Sequence, residues 1–359
     1  MKRGEKMSQY YDGTKLLSLK DVNGETPDLY LCTTNRTGGK TTYFNRLAVN
    51  RFLNKKIRKF CLFYRYNYEL SDVADKFFKD IQALFFPNHG MSSKVKAKGV
   101  YTELSLYNKI APDILIPCGY ALALNNADIL KKYSHLFNDV DMIIFDEFQS
   151  ESNHYCPDEI KKFISLYTSI NRGQGEAVRH VPVYMLSNQV SLINPYYVAL
   201  GISSRLNSST KFLKGDGYVL ESGFIEHASK AQQSSGINKA FKDENYVKFS
   251  SQNVYLNDNA SFIDEPKNER GRYLCTVKYE NILYGVLEYP ASGIVYVSNK
   301  ADLTFPLKIS VTLNDHDVNY VMLKKNEILI STLRYYFEHG CFRFKDLKCK
   351  EALLKTITY

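Results

Sequence analysis

The segment Thr34-Asn-Arg-Thr-Gly-Gly-Lys-Thr41 follows an apolar run, Leu29–Thr34, and opens a helical pattern, Thr41–Leu53. A lysine directly after two glycines, between a strand and a helix, is the context in which a backbone loop wraps a phosphate. Gly38 and Gly39 let the chain approach closely, so that its N–H groups converge at a helix N-terminus. Lys40 then reaches the β- and γ-phosphates, and the Thr41 hydroxyl is offered to Mg²⁺. Thr34, Asn35, Arg36, Thr37, Gly38, Gly39, Lys40, Thr41 and Thr42 make up this candidate nucleotide-binding set. Thr34 stands where such loops carry their first glycine, and Arg36 is unusual within them. Taken alone, the segment also fits a Gly-rich turn.

A second element changes that balance. Met142-Ile-Ile-Phe-Asp-Glu147 is an apolar strand ending in adjacent carboxylates. Asp146 is placed to hold the Mg²⁺ shell, and Glu147, on the other side of the pleat, to polarise an attacking water as a general base. Four buried strands are expected, Leu29–Thr34, Phe60–Arg65, Val140–Glu147 and Val181–Asn188, with helices over Thr41–Leu53, Leu70–Phe85 and Asp158–Ile170. The alternation points to a mostly parallel sheet covered on both faces. Phe60–Arg65 falls between the two motifs, and an extra strand there is what sets a glutamate opposite the γ-phosphate in motor-type ATPases. Lys94–Ile116 has the alternating, Lys-bearing pattern of an inserted hairpin. Asn188, at the tip of the last strand, is a candidate γ-phosphate sensor or a plain turn residue. Together these elements imply ATP binding and hydrolysis.

Beyond Leu200 the texture changes. Residues 201–259 are rich in Ser, Asn, Gly and Lys and read as a linker region between an ATPase domain over 1–200 and a second domain over 260–359. In that second domain RYLCTVKY, ILYGVLEY, GIVYVSN and Leu307–Thr312 read as strands, followed by helices over Asn326–His339 and Leu347–Thr356. The balance of 47 basic and 38 acidic residues permits a polyanionic partner. Seven cysteines without C-x-x-C or zinc spacing read as reduced, structural thiols. No apolar run reaches membrane-span length, and no apolar signal region follows the N-terminus.

The runs NRTGGKT, VNRFL, FYRYNYEL, IIFDEF and LSNQVSLINPYY, with YLCTVKYENILYGVLEY and HGCFRF further on, resemble the DNA-packaging ATPases of small protein-primed podophages of the phi-twenty-nine type. These are encapsidation proteins related to large terminase subunits. The resemblance spans nearly the whole chain. It implies a P-loop NTPase fold of the additional-strand, catalytic-glutamate type, followed by a small RNase H-like α/β domain. It assigns Lys40 and Thr41 to the phosphate loop, Asp146 and Glu147 to the metal and catalytic carboxylates, and Asn188 to the coupling strand. Arg172, in the SINRGQG loop, matches the arginine that these motors insert into a neighbouring subunit's site, where its fork stabilises charge on the transferred phosphate. Lys132, or its neighbour Lys131, falls near a second trans-acting basic residue.

The partners implied are ATP, Mg²⁺, double-stranded DNA, further copies of the chain in a pentameric ring, and the capsid portal vertex reached through a structured RNA. The location implied is the host cytoplasm, with transient residence at that vertex. Candidate DNA contacts are Lys94, Lys96 and Lys98 on the hairpin, and Lys55, Lys56, Arg58 and Lys59 ahead of the second strand. Nuclease activity is not expected, because Glu280, Glu288, Asp302, Asp315 and Asp317 sit at turns or edges and no acid stands mid-strand in Arg272–Tyr279. The rival readings are another translocase such as a helicase, and a non-hydrolysing nucleic-acid-binding scaffold with a degenerate loop.

Overall fold

The computed structural model describes residues 11–152, 154–172, 178–191, 194–202, 205, 206, 210–242, 244, 247, 262–322 and 327–358. The chain divides into two compact units, one of residues 1–200 with 206–257, the other of residues 201–205 with 258–359.

The first unit is built as α1 (Thr14–Ser18), β1 (Leu29–Thr34), α2 (Lys40–Leu53), β2 (Lys59–Tyr64), α3 (Val73–Phe85), β3 (His89–Lys96), β4 (Tyr101–Asn108), β5 (Ala111–Ala123), α4 (Ala127–Leu130), β6 (Val140–Asp146), α5 (Glu159–Ile170), β7 (Val183–Asn188), α6 (Pro195–Ala199), β8 (Phe212–Gly215), β9 (Tyr218–Ser222), α7 (Glu226–Ser234) and α8 (Gly236–Ala240). Its sheet runs β3-β4-β5-β2-β6-β7-β1-β9-β8. Strands β5 through β9 in that order are parallel, and β4, β3 and β8 add antiparallel edges. Central strands are apolar at nearly every position because helices cover both faces. On β6, Met142 and Ile144 pack into the core that holds Phe44, Ala48 and Phe77 of α2 and α3. Phe145 points the other way, against Phe163 of α5 and Tyr196 of α6, at ring separations of 6.3 and 5.8 Å. The two-residue period therefore carries Asp146 to the α2 face.

Three expectations change here. The strand between β1 and β6 in space is β7, while β2 lies on the outer side of β6. The crossover from β1 skips a position, which the later strand fills. The expected hairpin is part of a three-stranded meander, because β5 continues past the turn to pair in parallel with β2. The expected linker over 201–259 supplies β8 and β9, with Val219 and Leu220 fully buried beside β1. That apolar run is short and lies among polar residues, so it has no periodic signature. Residues 248–259 of that segment lie outside the described residues.

The second unit holds β10 (Arg272–Tyr279), β11 (Ile282–Tyr289), β12 (Ile294–Ser298), β13 (Lys308–Ser310), β14 (Val321–Met322) and β15 (Phe342–Phe344), in the order β14-β13-β10-β11-β12-β15. The first three strands are antiparallel, and β13 runs parallel to β10 and to β14. Counted within the unit, this is the 3-2-1-4-5 order of an RNase H-like sheet with one strand added at the edge. Glu280 and Asn281, both at positive φ, form the two-residue turn between β10 and β11. The helices Glu327–Glu338 and Leu347–Thr358 close the core, where Leu333 and Leu353 meet Val277, Val297 and Phe344. Among the described residues, no helix is long and apolar enough to cross a membrane.

Candidate nucleotide site

The loop from β1 to α2 is a tight wrap. Gly39 takes a left-handed φ of 89° at the helix N-cap, and Thr37 one of 60°. A methyl group on Gly38 would meet Ile225 Cδ1 at 2.4 Å, so any larger residue there would have to displace the Ile225 side chain. Asn35 ties this loop to the segment after β9: its Oδ1 accepts from Ile225 N at 2.8 Å and its Nδ2 donates to Ile225 O at 3.2 Å. Tyr11 N donates to Gly38 O at 2.8 Å, and Tyr11 Oη to Glu221 at 2.7 Å. Thr34, where a first glycine was expected, is fully buried. Its Cγ2 lies 3.3 Å from the position a Cβ would take at Gly223. The missing side chain at Gly223 thus leaves room beside Thr34.

At the end of β6, Thr41 Oγ1 donates to Asp146 Oδ2 at 2.8 Å, while Glu147 N donates to Asp146 Oδ1 at 2.9 Å. Burial pushes the Asp146 carboxyl up, opposed by the Lys40 ammonium and the Thr41 hydroxyl. Burial likewise pushes Lys40 down, opposed chiefly by Asp146. Each charge partly offsets the desolvation of the other in a largely buried site. Glu147 faces the adjoining cleft at a left-handed φ of 56°, which for a side-chain-bearing residue costs about 1–2 kcal/mol. Partial desolvation, then Asp146, Glu151 and Glu69, raise its carboxyl above the usual range. A hydroxyl, a carboxylate and an ammonium meeting at a helix N-terminus suit a hard divalent cation and a polyphosphate.

Asn188 ends β7 in register with Thr34. Its Oδ1 accepts from Lys40 Nζ at 2.8 Å, and its Nδ2 donates to Glu151 Oε1 at 3.1 Å. Arg36 Nη2 meets that same oxygen at 2.6 Å. Lys40, Asn188, Glu151 and Arg36 thus form one chain, of which Asn188, Glu151 and Arg36 line a cleft of about 510 Å³ together with Arg65, Tyr66, Tyr68, Glu69 and Glu147. Sequence reasoning missed Glu151 and Arg65. A third acid four residues past Glu147 was the available signal for Glu151. Nothing in the sequence pointed to Arg65, because its partners are distant along the chain. Gln149 was missed too: its Oε1 accepts from Val190 N and Ser191 N at 3.1 and 2.9 Å, joining the Asp-Glu loop to the segment after Asn188.

Other predicted residues lie apart from this centre. Helix α5 starts beside Glu147 and runs back to the far end of the sheet, where Arg179 bonds the carbonyls of Asn138 and Val140. Arg172, exposed just beyond that end and bridged to Val178, cannot reach its own chain's phosphate loop. Residues 173–175 of its loop lie outside the described residues. Lys132 is exposed, and Lys131 pairs with Asp128. The candidate DNA-contacting lysines do not form one patch. Register places Lys96 and Lys98 at the phosphate-loop end of the sheet and Lys56 at the opposite end. Lys94, Lys98, Lys55 and Lys56 are exposed, whereas Lys96 pairs with Glu103, Arg58 with Asp141 and Lys59 with Asp139.

A phosphate loop, a strand ending in Asp-Glu and β7 between them define a P-loop NTPase of the additional-strand class. The chain belongs to the Podovirus DNA encapsidation protein (Gp16) family, whose model matches residues 5–357. It is similar to the DNA packaging protein of Bacillus phage phi29, 25% identical over 343 residues and 94% of each chain. It is equally similar to that of Bacillus phage B103, 25% identical over 329 residues, which cover 89% of this chain and 92% of the relative. Its fold matches a chain of the bacteriophage phi-29 genome packaging motor assembly, with a TM-score of 0.65, 21% identity and 98% of each chain covered. It also matches the Phi-28 DNA packaging motor, at 0.60 and 16% over 97% of each.

Proposed function

We propose that this chain is the ATP-hydrolysing subunit of a motor that drives double-stranded viral DNA into a preformed capsid. The observation that carries the reading is the 2.8 Å hydrogen bond from Thr41 to Asp146, with Lys40 and Glu147 alongside, in a member of the encapsidation family. Thr41 and Asp146 are the residues that would hold Mg²⁺, whose charge neutralises phosphate oxygens. Backbone N–H groups from Gly38 to Thr42 receive the phosphates at the start of α2, and Lys40 binds the β- and γ-oxygens. Glu147 takes the proton of the attacking water, and the desolvation that raises its carboxyl makes it a stronger base for that role. As the γ-phosphate takes up the Lys40 ammonium, Asn188 loses that bond, and the Glu151–Arg36 pair and β7 shift with it. That is the coupling step, a population shift between two hydrogen-bonded arrangements.

Arg172 acts on a neighbouring subunit's phosphate, a reading supported by its exposure at the end of the sheet away from its own loop, and Lys132 assists from the same neighbour. The assembly is a homopentameric ring around DNA, docked at the capsid portal vertex through a structured RNA in the host cytoplasm. DNA is held by exposed lysines, Lys94, Lys98 and Lys56 among them, without base readout. The second unit does not cut DNA. The test is steady-state ATP hydrolysis with and without duplex DNA, for wild type, Glu147→Gln and Arg172→Ala. Each variant alone loses about 100-fold or more in turnover, and mixing them restores part of it. Wild-type turnover in Glu147→Gln would sink the reading, and failure of the mixture to recover would remove the ring-shared arginine.

A further inference from the structure

We propose that Arg65, just past the end of β2, is a positioning residue for Glu147. It holds the catalytic residue's main chain in the left-handed turn that presents its carboxylate to the cleft, and so rests on the hydrolytic reading above. The Arg65 guanidinium is buried. Its Nη1 and Nη2 each donate to Glu147 O at 3.3 Å, and Nη2 donates to Phe148 O at 2.8 Å. The two carbonyls belong to the peptide planes on either side of Phe148, and the first of those planes follows directly on Glu147, whose φ is 56°.

The fork is itself clamped. Arg65 Nε donates to both oxygens of Glu159 at 3.1 and 3.0 Å. Glu159 is buried and also accepts from Cys156 N at 2.8 Å and Tyr196 Oη at 2.9 Å. The rings of Phe145 and Tyr155 lie 5.7 and 5.0 Å from the guanidinium carbon. A buried charge on each side is satisfied by the other and by hydrogen bonds, which is what makes such a pair rigid. The constraint passes from Glu159 through Arg65 to the two peptides that follow Glu147, and fixing the plane that leaves Glu147 helps to hold that residue in its left-handed conformation.

The experiment uses the full chain with duplex DNA and compares wild type, the double variant Arg65→Gln/Glu159→Gln, Glu147→Gln, and all three changes together. The paired change exchanges ions for amides and leaves no charge unpaired. A fluorescent ATP analogue counts binding sites, and kcat is expressed per occupied site. The double variant is expected to keep nucleotide affinity and full occupancy while kcat falls about 100-fold, the loss that follows an ångström-scale misplacement. In the Glu147→Gln background the same changes should cost less than about twofold, because a positioning residue acts only through the group it positions. Wild-type turnover in Glu147→Gln would overturn the hydrolytic reading. An inactive Glu147→Gln beside a fully active double variant, or a full further loss in the triple variant, would overturn the positioning role alone. Should the double variant fail to fold, Arg65→Lys, which keeps the charge beside Glu159 without the fork, is held to the same two outcomes.

Discussion

Both sheets of this chain carry charged side chains at their strand ends, yet the two treat them in opposite ways. In the first unit Lys40, Arg65 and Glu159 are buried, and each is held by side chains from other elements. In the second unit Glu280, Asp302 and Asp317 are exposed, Glu288 is half-buried, and only Asp315 of these five acids is buried. Asp302 accepts from Thr304, Asp315 from Thr312 and Asn281, and exposed Asp317 pairs with Lys278 at 3.3 Å. Glu288 meets Arg272 and Tyr336. A carboxylate near a strand end is therefore weak evidence of chemistry. Burial against groups from several elements, with a strained backbone beside it, is stronger evidence.

The largest effects should fall where the contrast is sharpest. Glu147→Gln should lower ATP turnover by about 10²–10⁴-fold, whereas Glu280→Gln and Asp302→Asn should leave it within about twofold. A comparable loss from either second-unit change, in the same steady-state assay, would break the contrast. Because desolvation and neighbouring acids raise Glu147, turnover should fall on acidification at a pH above the usual carboxylate range. Glu147→Gln should flatten that limb. A smaller effect separates the ion pairs. Glu159→Ala strands a buried guanidinium and should cost about 3–5 kcal/mol. Asp317→Ala, at a half-exposed pair, should cost less than about 1 kcal/mol. Urea unfolding followed by a probe in each unit measures both.

Legibility in the sequence follows the same divide. Strands β1, β6 and β7 could be read because burial on both faces leaves uninterrupted apolar runs. The loop between β1 and α2 could be located because a tight wrap into a helix N-terminus favours glycines at that point. The order of strands could not, since which strand fills the gap between β1 and β6 is decided by crossovers and not by local pattern. Strands β8 and β9 were hidden for a different reason, as Tyr218–Leu220 is too short to show a period. The network behind Glu147 was invisible because Arg65 and Glu159 stand far apart in sequence, and Arg36 drew notice only as an oddity until Glu151 supplied its partner.

The second unit does hold one strongly perturbed acid, and it offers a test of another kind. Burial, then the charge of Glu280, pushes the Glu351 carboxyl from 4.5 up to about 7, against the opposing pull of Lys355 and Lys348. The folded state therefore keeps a proton that the unfolded chain releases, and stability falls as pH rises from about 4.5 through 7. Glu351→Gln removes that loss. The variant should match wild type near pH 4.5 and exceed it by roughly 1–3 kcal/mol at pH 8, read from thermal or urea unfolding of this unit. Equal stability at pH 8 would mean that Glu351 titrates normally.

The smallest effect concerns Gly223 and the space it leaves beside Thr34. If Thr34 is tolerated because Gly223 makes room, Gly223→Ala should cost about 1 kcal/mol, as the new methyl meets Thr34 Cγ2 at 3.3 Å. Adding Thr34→Gly should recover most of that cost by opening the space again, a coupling that two independent changes would not show. The second unit supplies the contrast: at Gly285 the intruding Cβ would meet the carbonyl oxygen of Lys300 at 2.2 Å, so no side-chain change can relieve Gly285→Ala. Nucleotide affinity adds a second readout at Gly223, since crowding Thr34 displaces the start of the phosphate loop. Should Gly223→Ala weaken neither unfolding midpoint nor affinity, the loop accepts Thr34 for a reason other than the space beside it.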